Sequence, residues 1–85
     1  MTNKKQLEDN LNKAFDCKDI HVHEVRDFDN KLTQLLIINS NFSLRMQFVK
    51  KPEGVFCPIM VFPKISMANV KKAIEDVEKY FDERG

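Results

Sequence analysis

Two stretches, Leu32-Thr33-Gln34-Leu35-Leu36-Ile37-Ile38 and Val55-Phe56-Cys57-Pro58-Ile59-Met60-Val61-Phe62, are apolar at both odd and even positions. Successive side chains of a strand point to opposite faces of its sheet, so a segment greasy on both parities needs cover on both sides. The neighbouring segments decide what can supply that cover.

Between the two lies Phe42-Ser43-Leu44-Arg45-Met46-Gln47-Phe48. Phe42, Leu44, Met46 and Phe48 share one face and Ser43, Arg45 and Gln47 the other, the mark of a strand with one core side and one wet side. Upstream, residues 20–28 alternate and then slip: Ile20 and Val22 share a face, Val25 does not, and a bulge near Glu24 is expected to return Val25 to the apolar side. Asp29-Asn30-Lys31, Asn39-Ser40-Asn41 and Lys50-Lys51-Pro52-Glu53-Gly54 read as turns, because Asn and Gly accept positive φ and Pro presets its own. Pro58 cannot donate to a ladder, which marks 55–62 as an edge or bulged strand.

Both flanks read as helices. Over residues 3–15, Leu7, Leu11, Ala14 and Phe15 fall on one narrow stripe, with Asn3 as N-cap and Gln6 three residues on. Over 67–83, after a Ser66 N-cap, Met67, Val70, Ala73, Ile74, Val77, Tyr80 and Phe81 line one face and charged residues the other. The fold class is therefore α+β: one domain over residues 1–85 in the order α-β-β-β-β-α, a four-stranded antiparallel meander sheet packed by an N-terminal and a C-terminal amphipathic helix.

The cover can be arranged in two ways. With one helix on each face, nothing apolar is spare. With both on one face, the other presents Leu35, Ile37, Phe56, Met60 and Phe62, or their opposite-parity neighbours, each worth about 1.5–3 kcal/mol on full burial. A monomer seldom leaves so much apolar area open, so the second arrangement implies a partner or a second copy of the chain.

Composition narrows the function classes. Hydrophobic residues at 42% beside 32% charge place the chain among globular proteins and not disordered ones. Gly54 and Gly85 are the only glycines, too few for a glycine-rich phosphate loop, and no dinucleotide fingerprint occurs. Residues 42–72 carry six Lys/Arg against one Glu, net +5, whereas residues 73–85 carry two against five, net −3. No stretch approaches the ~20 apolar residues of a membrane span or forms a signal-peptide core, and Cys17 and Cys57 suit reduced thiols, so a cytoplasmic location is expected.

Few residues invite chemistry. Asp19-x-His21-x-His23 places a carboxylate and two imidazoles on one strand face, a weak candidate for zinc with no fourth ligand fixed by spacing. Asp27 and Asp29 beside Glu24 read as turn-solvating carboxylates and not an acid–base pair. Cys57 reads as a small core residue, and no nucleophile pairing carries a signature. No cofactor and no enzymatic activity are expected.

The expected function is a non-enzymatic protein-binding module, of the small inhibitor, adaptor or chaperone-like kind, homodimeric or bound to another protein. Leu35, Ile37, Phe56, Met60 and Phe62 are the expected anchors, with Arg45, Lys50 and Lys51 as a basic rim. The alternative is a nucleic-acid binder using the basic 43–51 strand and hairpin beside Phe56 and Phe62.

Overall fold

Asn3 Oδ1 accepts the Gln6 amide at 2.7 Å and so opens the first helix, α1 (Lys4–Phe15). Asp16, in the left-handed region at φ 52°, closes it, and the Cys17 amide turns back to the Asn12 carbonyl at 2.9 Å. The chain then runs through β1 (His21–Arg26), β2 (Leu32–Ile38), β3 (Arg45–Lys51) and β4 (Gly54–Val61) to α2 (Met67–Arg84), in a computed structural model that describes residues 3–84. Ser66 caps α2, its Oγ accepting the Asn69 amide at 3.3 Å. The strands form one antiparallel sheet in the order β1-β2-β3-β4, the expected meander.

Register assigns the faces. Val22, Ile37, Met46 and Met60 form one cross-strand row, and Glu24, Leu35 and Phe48 form the next on the same side. Leu35, Ile37, Met46 and Phe48 join Leu7, Leu11 and Phe15 of α1 and Ala73, Val77, Tyr80 and Phe81 of α2 in a single buried core. Both helices therefore lie on one face of the sheet, touching each other, and the other face has no helical layer.

α1 also closes an edge. Glu8 Oε2 accepts the Val22 amide at 2.8 Å and Asn12 Oδ1 accepts the Ile20 amide at 3.0 Å. Four helical residues rise about 6 Å and two strand residues about 6.7 Å, so side chains at i and i+4 of the helix match alternate amides of the strand. Glu8 and Asn12 thus occupy the outer edge of β1, where unpaired amides would otherwise template another strand.

Two bulges set the strand ends. Register slips between Val25 and Arg26, with Thr33 as the extra residue of β2; this turns Leu32 into the core at 8% exposure. Alternation along His21–Arg26 is unbroken up to that point, so Val25 stays on the helix-free face with His21 and His23, and the expected bulge near Glu24 does not form. The second slip falls between Gln47 and Val49, with Cys57-Pro58 as the wide side; β4 is both an edge and bulged, as its proline requires. Pro52 and Glu53 form a tight turn between paired Lys51 and Gly54, whose φ of +148° calls for glycine.

Phe42 departs from its expected place in a strand. Asn39, 5% exposed, accepts the Leu44 amide on Oδ1 at 3.0 Å and gives its Nδ2 to Ser43 Oγ at 2.9 Å. These bonds hold 39–44 as a loop until Leu44. They also leave Phe42 at φ 59° and 60% exposed, away from the core it was expected to join.

Candidate interaction face

Three cross-strand rows make up the helix-free face: His21, Ile38, Arg45 and Val61; then His23, Leu36, Gln47 and Ile59; then Val25, Gln34, Val49 and Phe56. Leu36, Phe56, Ile59 and Val61 are 37%, 46%, 48% and 41% exposed, and Val25, Ile38 and Val49 are half-buried beside them. Gln47 Nε2 donates to Gln34 Oε1 at 2.9 Å, so the middle of the face satisfies its own amides. A depression of about 270 Å³ opens between His23, Leu36, Ile38, Arg45, Gln47 and Ile59. A second, of about 370 Å³, adjoins it around Val49, Lys51, Phe56 and Pro58.

Of the anchors expected from sequence, only Phe56 lies on this face. Leu35 and Ile37 are fully buried beneath the helices, and the exposed positions fall to Leu36 and Ile38. Met60 faces the core beside Met46, and Phe62 packs on Phe15 with ring centroids 6.1 Å apart. In β2 the reason is register, since one residue of shift exchanges the whole set of side chains between faces; in β4 the bulge at Cys57-Pro58 puts Phe56 and Met60 on opposite faces although they share sequence parity. Gln34 was the usable signal, since it shares parity with Leu36 and Ile38 and marks that parity as the wet one. Of the basic rim, Arg45 and Lys51 stand on the helix-free parity of β3 and Lys50 on the helical one. Lys51 Nζ lies 5.7 Å from the Phe56 ring centroid, in reach of a cation–π contact.

Asp19, His21 and His23 do not converge as ligands. Asp19 precedes β1 and turns to Ser40, whose amide it accepts at 3.0 Å and whose hydroxyl it also accepts. The Ser40 hydroxyl and amide hold the Asp19 carboxyl below the usual aspartate range. Among the described residues, no group of three or more His, Cys, Asp or Glu side chains is placed to hold a metal. Asp27 accepts the amides of Asp29 at 2.9 Å and Lys31 at 3.0 Å, a turn-closing role. Cys17 and Cys57 are free thiols, and burial pushes both up, away from the thiolate that a nucleophile requires.

A concentrated polar cluster sits on the other side of the sheet. Tyr80 donates its hydroxyl to Glu24 Oε2, Arg26 donates to Glu24 Oε1 at 3.0 Å, and Arg84 Nε stands 3.7 Å from Oε2. The Arg84 guanidinium also stacks 3.5 Å from the Tyr80 ring centroid. Partial burial works against ionisation of Glu24, but the Tyr80 and Arg26 hydrogen bonds and the two arginine charges hold its carboxyl below the usual glutamate range. Tyr80 is pushed up to about 12 by burial and by Glu24. This is a clasp between α2 and β1. The cleft between α1 and α2, about 260 Å³, is lined by Asn10, Lys13, Ala14, Asn69, Lys72 and Asp76.

Comparison with protein-family models, with curated proteins and with solved structures finds no match. The functional reading therefore rests on the geometry of the helix-free face. Among the described residues, no helix is long and apolar enough to cross a membrane.

Proposed function

We propose that this chain is a non-enzymatic protein-binding module of the inhibitor, adaptor or chaperone-like kind, and that its docking surface is the helix-free face of the sheet. The observation that carries this reading is the exposure of Leu36, Phe56, Ile59 and Val61 together on one face while both helices occupy the other. Covering the remaining exposed area of these four side chains is worth about 2–5 kcal/mol gross. That suits a modest, reversible contact and leaves specificity to the polar groups among them.

Paired variants test it. Leu36→Asp with Ile59→Asp should leave a cooperatively unfolding chain, because neither side chain belongs to the buried core. The same double variant should lose whatever the wild-type chain retains from an extract of its own cells, or should dissociate a wild-type dimer in sedimentation velocity. Identical retention and identical sedimentation of the two proteins would remove the face from consideration.

Nucleic acid is the second reading, favoured by Lys51 beside Phe56 and by Arg45 and Gln47 on the same strand face. A single-stranded platform stacks successive bases on several rings. Here Phe62 packs on Phe15, leaving Phe56 as the one phenylalanine among the three cross-strand rows, so protein docking is the better fit.

A further inference from the structure

Charge on the helix-free face is of one sign. Its three rows hold Arg45 and no Asp or Glu, and Lys51 continues the same parity of β3. Arg45 sits between Ile38 and Val61, and among the described residues its guanidinium has no hydrogen-bonding or ion-pair partner. The molecule's other two described arginines are both engaged: Arg26 with Glu24, and Arg84 with Glu24 and Tyr80. Arg45 also lines the first depression, of about 270 Å³, with Leu36, Ile38 and Ile59.

A cation within an apolar patch discriminates between occupants. A second copy docked face to face would press two such surfaces together, bringing in further Arg45 and Lys51 side chains and no carboxylate. Covering a guanidinium without a counter-charge is costly, and like charges across an interface suppress the pairing. A partner with its own carboxylates meets the opposite situation: Arg45 offers a planar fork of donors that matches a carboxylate. Arg45 and Lys51 lie six residues apart on β3, about 20 Å. A helix of about 13 residues spans that distance.

We propose, resting on the docking-face reading above, that the occupant is an acidic amphipathic segment of another protein. Its apolar stripe lies on Leu36, Ile59, Val61 and Phe56, one carboxylate meets Arg45, and another near its far end meets Lys51. A helix is the form that matches the spacing, since an apolar stripe at i, i+3, i+4 and i+7 lays its side chains along a groove.

A displayed library of random peptides of about 16 residues, long enough for such a helix, provides the test. It is selected on the full wild-type chain and counter-selected on the Leu36→Asp/Ile59→Asp variant. The enriched peptides are expected to be net acidic, with apolar residues at helical spacing. Arg45→Glu, at an exposed position, is expected to weaken a selected peptide by about tenfold or more while keeping the wild-type urea midpoint. Enrichment of neutral or basic apolar peptides overturns the acidic occupant but leaves the docking face standing. A wild-type dimer at micromolar concentration that Ile59→Asp dissociates gives the face to a second copy and also overturns it. Failure to enrich any sequence over the counter-selected variant, with a monomer in sedimentation, overturns the inference and the docking face together.

Discussion

Leu35 and Leu36 are the same residue type, adjacent in the same strand, and the structure gives them opposite fates. Leu35 is 0% exposed, between Glu24 and Phe48 in register and within the buried core; Leu36 is 37% exposed on the helix-free face. Leu35→Ala removes a fully buried side chain from the core and is expected to cost about 3–4 kcal/mol. Leu36→Ala removes atoms already partly in water and is expected to cost about 1 kcal/mol or less. For a domain of this size the whole net stability is about 4–13 kcal/mol, so the first variant approaches the limit of folding and the second does not. Urea unfolding at 25 °C, followed by far-ultraviolet circular dichroism, measures both. With a slope near 1 kcal/mol/M, the midpoint should fall by about 3 M for Leu35→Ala and by about 1 M or less for Leu36→Ala. Equal falls, or a larger fall at Leu36, would mean that the parity is reversed or that the second face is also covered, and the docking face would be lost with it.

Three further outcomes follow from particular contacts. Glu24 has a folded value below its ordinary 4.5, so its contribution is present above that value and lost as pH falls through the folded one; Tyr80 is raised from 10.0 to about 12, so its contribution is present below pH 10 and lost as pH rises toward 12. The unfolding free energy from urea titration should therefore hold a plateau from about pH 5 to pH 8, above which the raised thiols of Cys17 and Cys57 and then Tyr80 lower it, and Tyr80→Phe should lower that plateau by about 1–2 kcal/mol; an unchanged plateau would remove the clasp. Glu8→Ala takes away the acceptor of the Val22 amide and should cost about 1 kcal/mol. It should also speed hydrogen exchange at Val22 relative to Val25, and unaltered exchange there would show that the edge is closed by something else. Phe42→Gly relieves a positive φ at an exposed position and should be neutral or stabilising by up to about 1 kcal/mol; a loss of more than about 2 kcal/mol, the scale of a core truncation, would place the ring in the core after all.

The element order was legible because its signals are local. The stripes of Leu7, Leu11 and Phe15 and of Val70, Ala73, Val77 and Tyr80 repeat at the helical period, and Asn3 and Ser66 cap the two helices where the sequence places them. Pro58 announced the bulged edge strand for the same reason: a missing donor is a property of one residue. Phe42 was misplaced because the bonds that keep it out of β3 come from Asn39 across a loop. The roles of Glu8 and Asn12 carry no local signal. Their partners, the amides of Ile20 and Val22, are far along the chain and become reachable only once α1 lies beside β1.

By itself, then, the amino-acid order determined six elements, one domain and a sheet with more apolar side chains than a single helical layer can cover, because periodicity and turn chemistry act over a few residues. Tertiary structure alone decided that both helices share a face, that Leu35 and Ile37 go in while Leu36 and Ile38 stay out, and that Arg45 stands among apolar neighbours with no counter-charge among the described residues. Those outcomes depend on register, and register is fixed by the packing of the entire core: a slip of one residue would exchange the faces without altering any local preference.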